Sequence, residues 1–190
     1  MNNQKIIIGV VGEKGSGKGT FAKLLQEVLP QKTIEVIRSS DILKQTLQLW
    51  GLPETRGNLQ RLTIMVEQAF GSGTLSHTVH EKLVNSQADI VIFDGVRWEV
   101  DVEMLRQFPQ NFLVYITADP HIRHERTKVR GEKAGEENAT FEQFMREEQA
   151  LTEVLIPEIG LLADLTINNN GSTEDFKKQV EEFCQNYLRK

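Results

Sequence analysis

The sequence predicts a three-layer α/β/α fold whose central sheet has five parallel strands. Five short apolar runs, many of them β-branched, occur at residues 6–11, 34–37, 90–93, 112–117 and 165–167. They do not alternate strictly between apolar and polar residues, a pattern typical of strands buried on both faces. Helical patterns separate the runs, and strands that alternate with helices are joined by right-handed crossovers.

Composition indicates a single domain over residues 1–190. With 39% hydrophobic and 26% charged residues, the chain resembles ordinary globular proteins and can bury a large core. A net charge of −5 argues against a surface built for nucleic acid, and we expect no nucleic-acid partner. No secretory signal pattern and no run long enough for a bilayer are found, so we expect a cytoplasmic location and no membrane partner.

The helical segments show apolar faces and recognisable start signals. The helix after the first strand carries an apolar face and ends at Pro30. Two capping-box spacings open later helices, Thr140 with Gln143 and Ser172 with Asp175. The first precedes the apolar residues Phe141, Phe144, Met145, Leu151 and Leu155. The second precedes a face of Phe176, Val180, Phe183 and Tyr187, and the single cysteine, Cys184, fits a buried position beside it.

A glycine-rich segment between the first strand and the first helix predicts a phosphate-binding loop. Residues 12–20 read Gly-Glu-Lys-Gly-Ser-Gly-Lys-Gly-Thr. Glycines let backbone N–H groups converge on one anion, and Lys18 adds a positive charge beside the positive end of the helix dipole. We expect a nucleoside triphosphate to be held by this loop through Gly12, Gly15, Ser16, Gly17, Lys18, Gly19 and Thr20.

The sequence of this loop resembles that of the corresponding loop in the nucleoside monophosphate kinases, such as adenylate kinase. In the common motif a Ser or Thr that contacts magnesium follows the lysine directly, whereas here Gly19 comes before Thr20. The resemblance covers most of the chain and implies a P-loop kinase that uses ATP and Mg²⁺. Thr20 then belongs to the metal site, and Lys18 to the catalytic residues.

The segment after the second strand resembles the acceptor-binding segment of that family. Residues 38–44 read Arg-Ser-Ser-Asp-Ile-Leu-Lys, which puts the family's threonine at Ser39 and its phosphate-binding arginine at Lys44. Lysine keeps the charge but cannot bind a phosphate with two parallel hydrogen bonds. Asp41 is the carboxylate best placed for an acceptor hydroxyl. The alternative is a plain helix start, with Ser39 or Ser40 as the N-cap.

Two charged residues follow the third strand. Asp94 ends a buried strand beside the phosphate loop, which suits a carboxylate that supports magnesium. By resemblance, Arg97 binds the acceptor phosphate, although the family's proline is missing and the spacing is one residue shorter. Alternatively, Asp94 is a helix N-cap, and Arg97 forms a surface ion pair with Glu99 or Asp101.

The region between residues 39 and 82 has no strand pattern and predicts two to four helices over one edge of the sheet. Within it, Arg56 and Gln60 lie in a stretch that resembles dephospho-CoA kinase-like proteins and deoxynucleoside monophosphate kinases. We expect Arg56 to reach an acceptor phosphate and Gln60 to read a base edge. An exposed polar helix face explains the same residues equally well.

Arginines after the fourth strand resemble the approach to a kinase lid. Arg126 and Arg130 are four residues apart and share one helix face with Arg123, so an anion between them would relieve their repulsion. The family places these arginines, with a later one here at Arg146, around the phosphoryl group. We expect a lid at about residues 127–139 with hinges at Gly131 and Gly135. A solvated basic helix is the alternative.

Two weaker patterns remain. Residues 163–172 resemble the fifth strand and following loop of dephospho-CoA kinases, where the loop lies by the adenine. The amide of Asn170 suits a hydrogen bond to the base, although an Asn-Gly turn also explains this residue. The four histidines occur as two pairs three residues apart, without a third ligand, so we expect solvent-facing positions and no metal site.

These patterns lead to three functional hypotheses. The first is phosphoryl transfer from ATP to a nucleoside or deoxynucleoside monophosphate, or a similar small phosphate acceptor. The second is transfer to a hydroxyl group, as in dephospho-CoA kinase. The third is a nucleotide-dependent switch or slow ATPase without a small acceptor. The sequence leaves the acceptor, the choice of ATP over GTP and the oligomeric state undetermined.

Overall fold

The computed structural model describes residues 5–130 and 136–188 and shows the predicted parallel sheet. The five strands are β1 (Ile6–Val11), β2 (Ile34–Arg38), β3 (Ile90–Asp94), β4 (Asn111–Thr117) and β5 (Leu165–Asn168). Their order in the sheet is β2-β3-β1-β4-β5, and every neighbouring pair is parallel. Each predicted run falls within one observed strand, so the predicted sheet is confirmed.

Helices pack on both faces of this sheet and complete the three layers. They are α1 (Lys18–Val28), α2 (Ser39–Leu49), α3 (Arg56–Phe70), α4 (Thr74–Asn85), α5 (Glu99–Leu105), α6 (Pro120–Arg130), α7 (Phe141–Glu147), α8 (Ile156–Gly160) and α9 (Thr173–Phe183). α1 and α9 pack on one face, and α4, α5 and α8 pack on the other. Among the residues described, no helix is both long and apolar enough to cross a membrane.

The central strand β1 explains why the apolar runs lack alternation. Ile8 and Val10 are fully buried in the core beneath α1 and α9. Ile7 and Val11 are fully buried in the core beneath α4, α5 and α8. Because successive side chains of a strand point to opposite faces, a strand covered on both faces needs apolar residues at nearly every position.

The region expected to hold two to four helices contains α2, α3 and α4. They share a small apolar core of Leu43, Leu47, Leu59, Leu62 and Leu75, separate from the two cores that cover the sheet. α2 follows β2 directly, and β2 is one of the two edge strands of the sheet. The first residues of α2 and of α3 lie at the carboxyl ends of the strands, where they line the same cleft as the phosphate-binding loop.

Both predicted capping boxes are present, but the apolar faces behind them differ from expectation. Thr140 and Gln143 bond reciprocally at the start of α7, as Ser172 and Asp175 do at the start of α9. α7 ends at Glu147, however, and a series of turns follows, so Leu151 and Leu155 are exposed instead of buried on that helix. Tyr187 is also partly exposed, whereas Cys184 is fully buried as predicted.

One histidine departs from the solvent-facing position expected for it. His124 is buried, its Nε2 lies 2.8 Å from the carbonyl oxygen of Ala139, and its ring packs on Phe141 and Phe144. Sequence spacing could not reveal this, because α7 covers the position only after the chain has folded back. Within residues 5–130 and 136–188, no cluster of three or more metal-ligating side chains occurs.

Candidate active site

A cleft of about 870 Å³ opens where the parallel strands end. Open α/β sheets bind ligands at this carboxyl edge. Its cationic lining residues are Lys14, Lys18, Lys23, Arg38, Lys44, Arg56, Arg97, Arg126 and Arg130. Its anionic lining residues, within the part of the chain that the structure describes, are Asp41, Asp94 and Glu153. This excess of positive charge suits an occupant that carries several phosphate groups.

At two positions of the phosphate-binding loop the backbone has a positive φ angle, which only glycine adopts easily. Gly15 and Gly17 have φ angles of 78° and 112°, in the left-handed region. A Cβ atom at Gly17 would lie 2.4 Å from Nδ2 of Asn169, and one at Gly15 would lie 2.5 Å from the carbonyl oxygen of Arg123. Backbone curvature and close packing therefore both require these glycines.

Lys18 begins α1 and points back across the loop. Its Nζ donates to the carbonyl oxygens of Gly12, at 2.6 Å, and Glu13, at 3.1 Å. Burial lowers the pKa of Lys18, and the nearby carboxylate of Asp94 opposes that effect. An ammonium group that is buried and that, among the described residues, hydrogen-bonds to neutral carbonyls gains strongly from an anionic partner.

Other loop residues contribute in different ways. Gly19 and Thr20 line the cleft, and a Cβ atom at Gly19 would meet nothing within 4 Å. Ser16 is fully buried, and its hydroxyl has no hydrogen-bond partner among the described residues. Gly12 packs beneath the loop, where a Cβ atom would lie 2.4 Å from the carbonyl oxygen of Ile116.

The loop after β5 supports the phosphate-binding loop through Asn169. Its Nδ2 donates to the carbonyl oxygen of Ser16 at 2.8 Å, and the residue is buried in the cleft wall. Asn170, the residue predicted from the sequence, does not line the cleft. It is exposed, and its Oδ1 accepts from the backbone N–H of Asp119 at 2.6 Å. The structure therefore brings Asn169 of this loop into the cleft wall, and the predicted contact of Asn170 with a base stays a prediction.

Charged groups from β2, β3 and α2 form a network beside the phosphate-binding loop. Asp94 accepts from Nε of Arg38 at 2.9 Å, and Asp41 lies 3.4 Å from Nζ of Lys44 and 3.8 Å from Nη1 of Arg38. Ser39 lines the cleft, and α2 begins without a side-chain cap. The alternative of a side-chain N-cap by Ser39 or Ser40 is therefore not observed. Asp94 is not the N-cap of the following helix either, since Trp98 holds that position in α5.

Arg56 and Arg97 meet around two carboxylates. Arg97 donates to Glu153 and, at 2.7 Å, to the carbonyl oxygen of Thr152. Arg56 lies 3.6 Å from Glu153 and 3.3 Å from Glu147, which also pairs with Lys14 of the phosphate-binding loop at 3.1 Å. The structure thus brings the two predicted arginines together, and Arg97 pairs with neither Glu99 nor Asp101 through its guanidinium group.

The arginines of α6 divide into two classes. Arg126 and Arg130 line the cleft, and Nη1 of Arg126 is buried without a hydrogen-bond partner among the described residues. Burial lowers the pKa of Arg126. Arg123 instead points away, pairs with Glu148 and holds the carbonyl oxygen of Lys14 at 3.3 Å.

The structure tests the predicted position of Arg146 but describes only part of the predicted lid. Arg146 is exposed on α7 and does not line the cleft, so the structure does not bring it together with Arg126 and Arg130. Part of the segment expected to form the lid, residues 131–135 with the expected hinges Gly131 and Gly135, lies outside the described residues.

Sequence reasoning missed several residues of the cleft wall: Lys14, Lys23, Arg38, Glu153 and Asn169. Lys14 belongs to the glycine-rich loop, and Arg38 directly precedes the segment that resembles the acceptor site, so both positions carried a signal. Glu153 carried none, because it lies in a turn more than fifty residues from Arg97 along the sequence.

Comparison of the sequence with known proteins shows the family of this chain. A family model described as AAA domain matches residues 8–147. A UPF0200 protein of Sulfurisphaera tokodaii is 31% identical over 183 residues, covering 96% of this chain and 97% of the relative. The chain belongs to the AAA domain family and to the UPF0200 proteins. Another UPF0200 protein, from Pyrococcus abyssi, is 29% identical over 188 residues, covering 96% of this chain and 97% of the relative.

Solved structures place this AAA domain protein in the fold of P-loop kinases. TT1252 from Thermus thermophilus has a TM-score of 0.61 at 20% identity, covering 96% of this chain and 97% of the other. A shikimate kinase from Acinetobacter baumannii, solved in complex with shikimate, has a TM-score of 0.56 at 20% identity, covering 98% and 94%. The predicted fold is confirmed by these structures, and the family match agrees with the predicted P-loop superfamily.

Proposed function

We propose that this protein transfers the γ-phosphoryl group of ATP to a small acceptor that already carries a phosphate, such as a nucleoside or deoxynucleoside monophosphate. The supporting observation is the placement of cations on both sides of Lys18. Arg126 and Arg130 follow β4 on one side of the central strand, whereas Arg97 follows β3 on the other. Two anionic reactants need such a double set of charges to approach each other.

In this proposal the two halves of the cleft have separate tasks. The phosphate-binding loop and Lys18 hold the triphosphate, while Arg126 and Arg130 neutralise charge on the phosphoryl group during its transfer. Ser39, Lys44, Arg56 and Arg97 hold the acceptor. An acceptor phosphate is ionised at pH 7, so no general base is required.

Magnesium fits the oxygen donors of the cleft. Thr20 offers a hydroxyl and Asp94 a carboxylate, both in the cleft wall, and Mg²⁺ in kinases is held by one or two such groups together with phosphate oxygens. When bound, the ion neutralises charge between the β- and γ-phosphates. We propose that Thr20 and Asp94 hold it.

Transfer to a hydroxyl group is the second candidate, favoured by one observation. Asp41 lines the same cleft with a side chain 43% exposed, so its carboxylate is available to accept a hydroxyl proton. Asp41→Asn is expected to abolish transfer to a hydroxyl and only to weaken transfer to a monophosphate. The size of the loss in this one variant therefore distinguishes the two candidates.

The test is a screen for ADP release with ATP, Mg²⁺ and a panel of acceptors, namely ribo- and deoxyribonucleoside monophosphates and dephospho-CoA. One class of acceptor is expected to stimulate ADP formation well above the acceptor-free rate, and Lys18→Met removes the stimulation. Background rates with every acceptor would overturn both kinase proposals and leave the nucleotide-dependent switch.

A further inference from the structure

A second concave surface lies on the far side of the Arg97 loop, and none of its described lining residues also lines the nucleotide cleft. This groove, of about 790 Å³, is bounded by α3, α5 and residues 151–162. Its apolar lining includes Trp98, Leu151, Leu155 and Leu162. We propose that the groove binds a cationic amphipathic helix of a partner protein. The proposal does not depend on the reaction proposed above.

The apolar side chains of the groove are unusually open to solvent. Leu151 is 72% exposed, Leu162 is 48% exposed and Leu155 is 38% exposed. Single exposed leucines are common on protein surfaces, but a contiguous apolar patch within a groove marks a binding surface. Leu151 and Leu155 reach this position because α7 ends at Glu147, which turns them out of the core.

The rim of the groove determines the charge of its occupant. Four carboxylates, Glu67, Glu99, Glu103 and Glu158, line it, and no Lys, Arg or His from the described residues does so. Glu67 also accepts from the backbone N–H groups of Gly73 and Leu75, while the other three project from α5 and α8. An occupant with an apolar face and with lysine or arginine along its edges can pack on the apolar lining and pair with the carboxylates of the rim.

The same charges argue against a second copy of this chain as the occupant. A two-fold dimer brings identical patches face to face, so four carboxylates would meet four carboxylates across an apolar contact. An amphipathic helix avoids this repulsion. It lays apolar side chains at positions i, i+3, i+4 and i+7 into a groove and keeps its charged residues at the rim.

The groove is physically continuous with the wall of the nucleotide cleft. Thr152 lines the groove, its carbonyl oxygen accepts from Arg97, and its hydroxyl accepts from Gln60 at 3.4 Å. Trp98 follows Arg97 in the chain, and Asp101 accepts from the backbone N–H groups of both residues. A helix seated in the groove therefore contacts the residues that position Arg97.

The experiment uses the intact chain with Trp50→Phe, which leaves Trp98 as the single tryptophan. The probe is a fluorescein-labelled sixteen-residue helical peptide of leucine and lysine, with leucines at the spacing given above. Its counterpart carries glutamate in place of lysine. We expect the lysine peptide to change Trp98 emission saturably and to raise the peptide anisotropy, with weaker binding at high salt, and the glutamate peptide to do neither.

Matched variants separate a built groove from general charge attraction. Glu99→Gln with Glu103→Gln is expected to weaken binding about fivefold or more, since each removes a charge that faces the peptide. Leu151→Ser with Leu162→Ser is expected to abolish it, and both leucines are exposed enough for the fold to persist. Glu142→Gln with Glu182→Gln changes the net charge equally at exposed sites elsewhere and should leave binding unchanged.

Three results would overturn the proposal. Equal weakening by the groove and control glutamate variants would show unspecific charge attraction. Unchanged binding in the leucine variant would place the peptide elsewhere. Concentration-dependent self-association in sedimentation, lost in the leucine variant, would identify a second copy of the chain as the occupant.

Discussion

The guanidinium group of Arg97 donates to the carboxylate of Glu153, and both residues line the cleft. Burial alone raises the pKa of Glu153, but Arg97, Arg56 and Lys18 together outweigh it, and the pKa lies below its ordinary value. Glu153 is therefore ionised at neutral pH and pairs with Arg97 and Arg56. Each guanidinium group has five N–H donors, so the pairing leaves donors for an acceptor phosphate.

Replacing this carboxylate should cost stability in a pH-dependent manner. A carboxyl group whose pKa is lowered by folding stabilises the folded state above its unfolded pKa, about 4.3 for glutamate, and loses that contribution as pH falls through its folded pKa. Glu153→Gln should lower the free energy of unfolding by about 2 kcal/mol at pH 7, because two guanidinium groups lose a charged partner. The measurement is urea unfolding at pH 7 and at successively lower pH.

The difference between wild type and Glu153→Gln is expected to shrink as the buffer becomes more acidic than pH 4. Glu142→Gln, an exposed carboxylate on α7, serves as the control and should show little difference at either pH. A Glu153→Gln penalty that stays constant down to the acid limit would show that Glu153 is not an ionised partner of the arginines.

Removing the ammonium group of Lys18 should abolish most of the affinity for nucleotide. Lys18→Met is expected to weaken triphosphate binding about 10- to 100-fold, the value of a charged hydrogen bond to phosphate. Calorimetric titration with a non-hydrolysable ATP analogue measures it. Lys177→Met, which removes an exposed lysine paired with Glu27, is the matched control and should bind as wild type does. Equal affinity in all three proteins would refute the proposed triphosphate site.

Arg126 should act on the rate of phosphoryl transfer more than on nucleotide binding. Its Nη1 is buried and, within residues 5–130 and 136–188, has no hydrogen-bond partner, so it can face charge that develops during the reaction. Arg126→Gln is expected to reduce kcat on the order of 100- to 1000-fold with a small change in nucleotide affinity. Lys128→Gln, on the same helix but outside the cleft wall, should retain wild-type kcat. A normal kcat in Arg126→Gln would remove this residue from the catalytic proposal.

Two glycines of the same loop should respond oppositely to alanine. Gly17→Ala places a Cβ at a φ of 112° and 2.4 Å from Asn169, and should lower the free energy of unfolding by about 1–3 kcal/mol. Gly19→Ala lies in the first turn of α1 with nothing within 4 Å, and should raise it by about 0.5–1 kcal/mol. Thermal unfolding of both variants without nucleotide checks the contrast, and similar losses in both would contradict the geometry described.

Much of the fold was predictable because its causes are local. The runs at residues 6–11 and 90–93 have to be apolar at nearly every position if both faces of their strands are covered, and that requirement is visible in the sequence. The loop at residues 12–20 was predictable for the same kind of reason, since Gly15 and Gly17 adopt backbone angles that other residues avoid.

The wall of the cleft was less predictable, since its partners are distant in the chain. Nothing near Glu153 in the sequence indicates Arg97, and the choice of Asn169 over Asn170 depends on which amide faces Ser16 once β5 lies beside β4. The sequence pattern places Leu151 behind the apolar residues of α7, but α7 ends at Glu147 and Leu151 lies in the wall of a groove.

The chain by itself determined the order of strands and helices, the loop that curls around an anion, and the abundance of cations near strand ends. Only the tertiary structure decided which cations share one cleft, which are already paired with carboxylates, and which apolar residues remain in solvent. The physical reason is range: backbone conformation and periodicity arise between neighbouring residues, whereas charge pairing and burial depend on segments that meet only after folding.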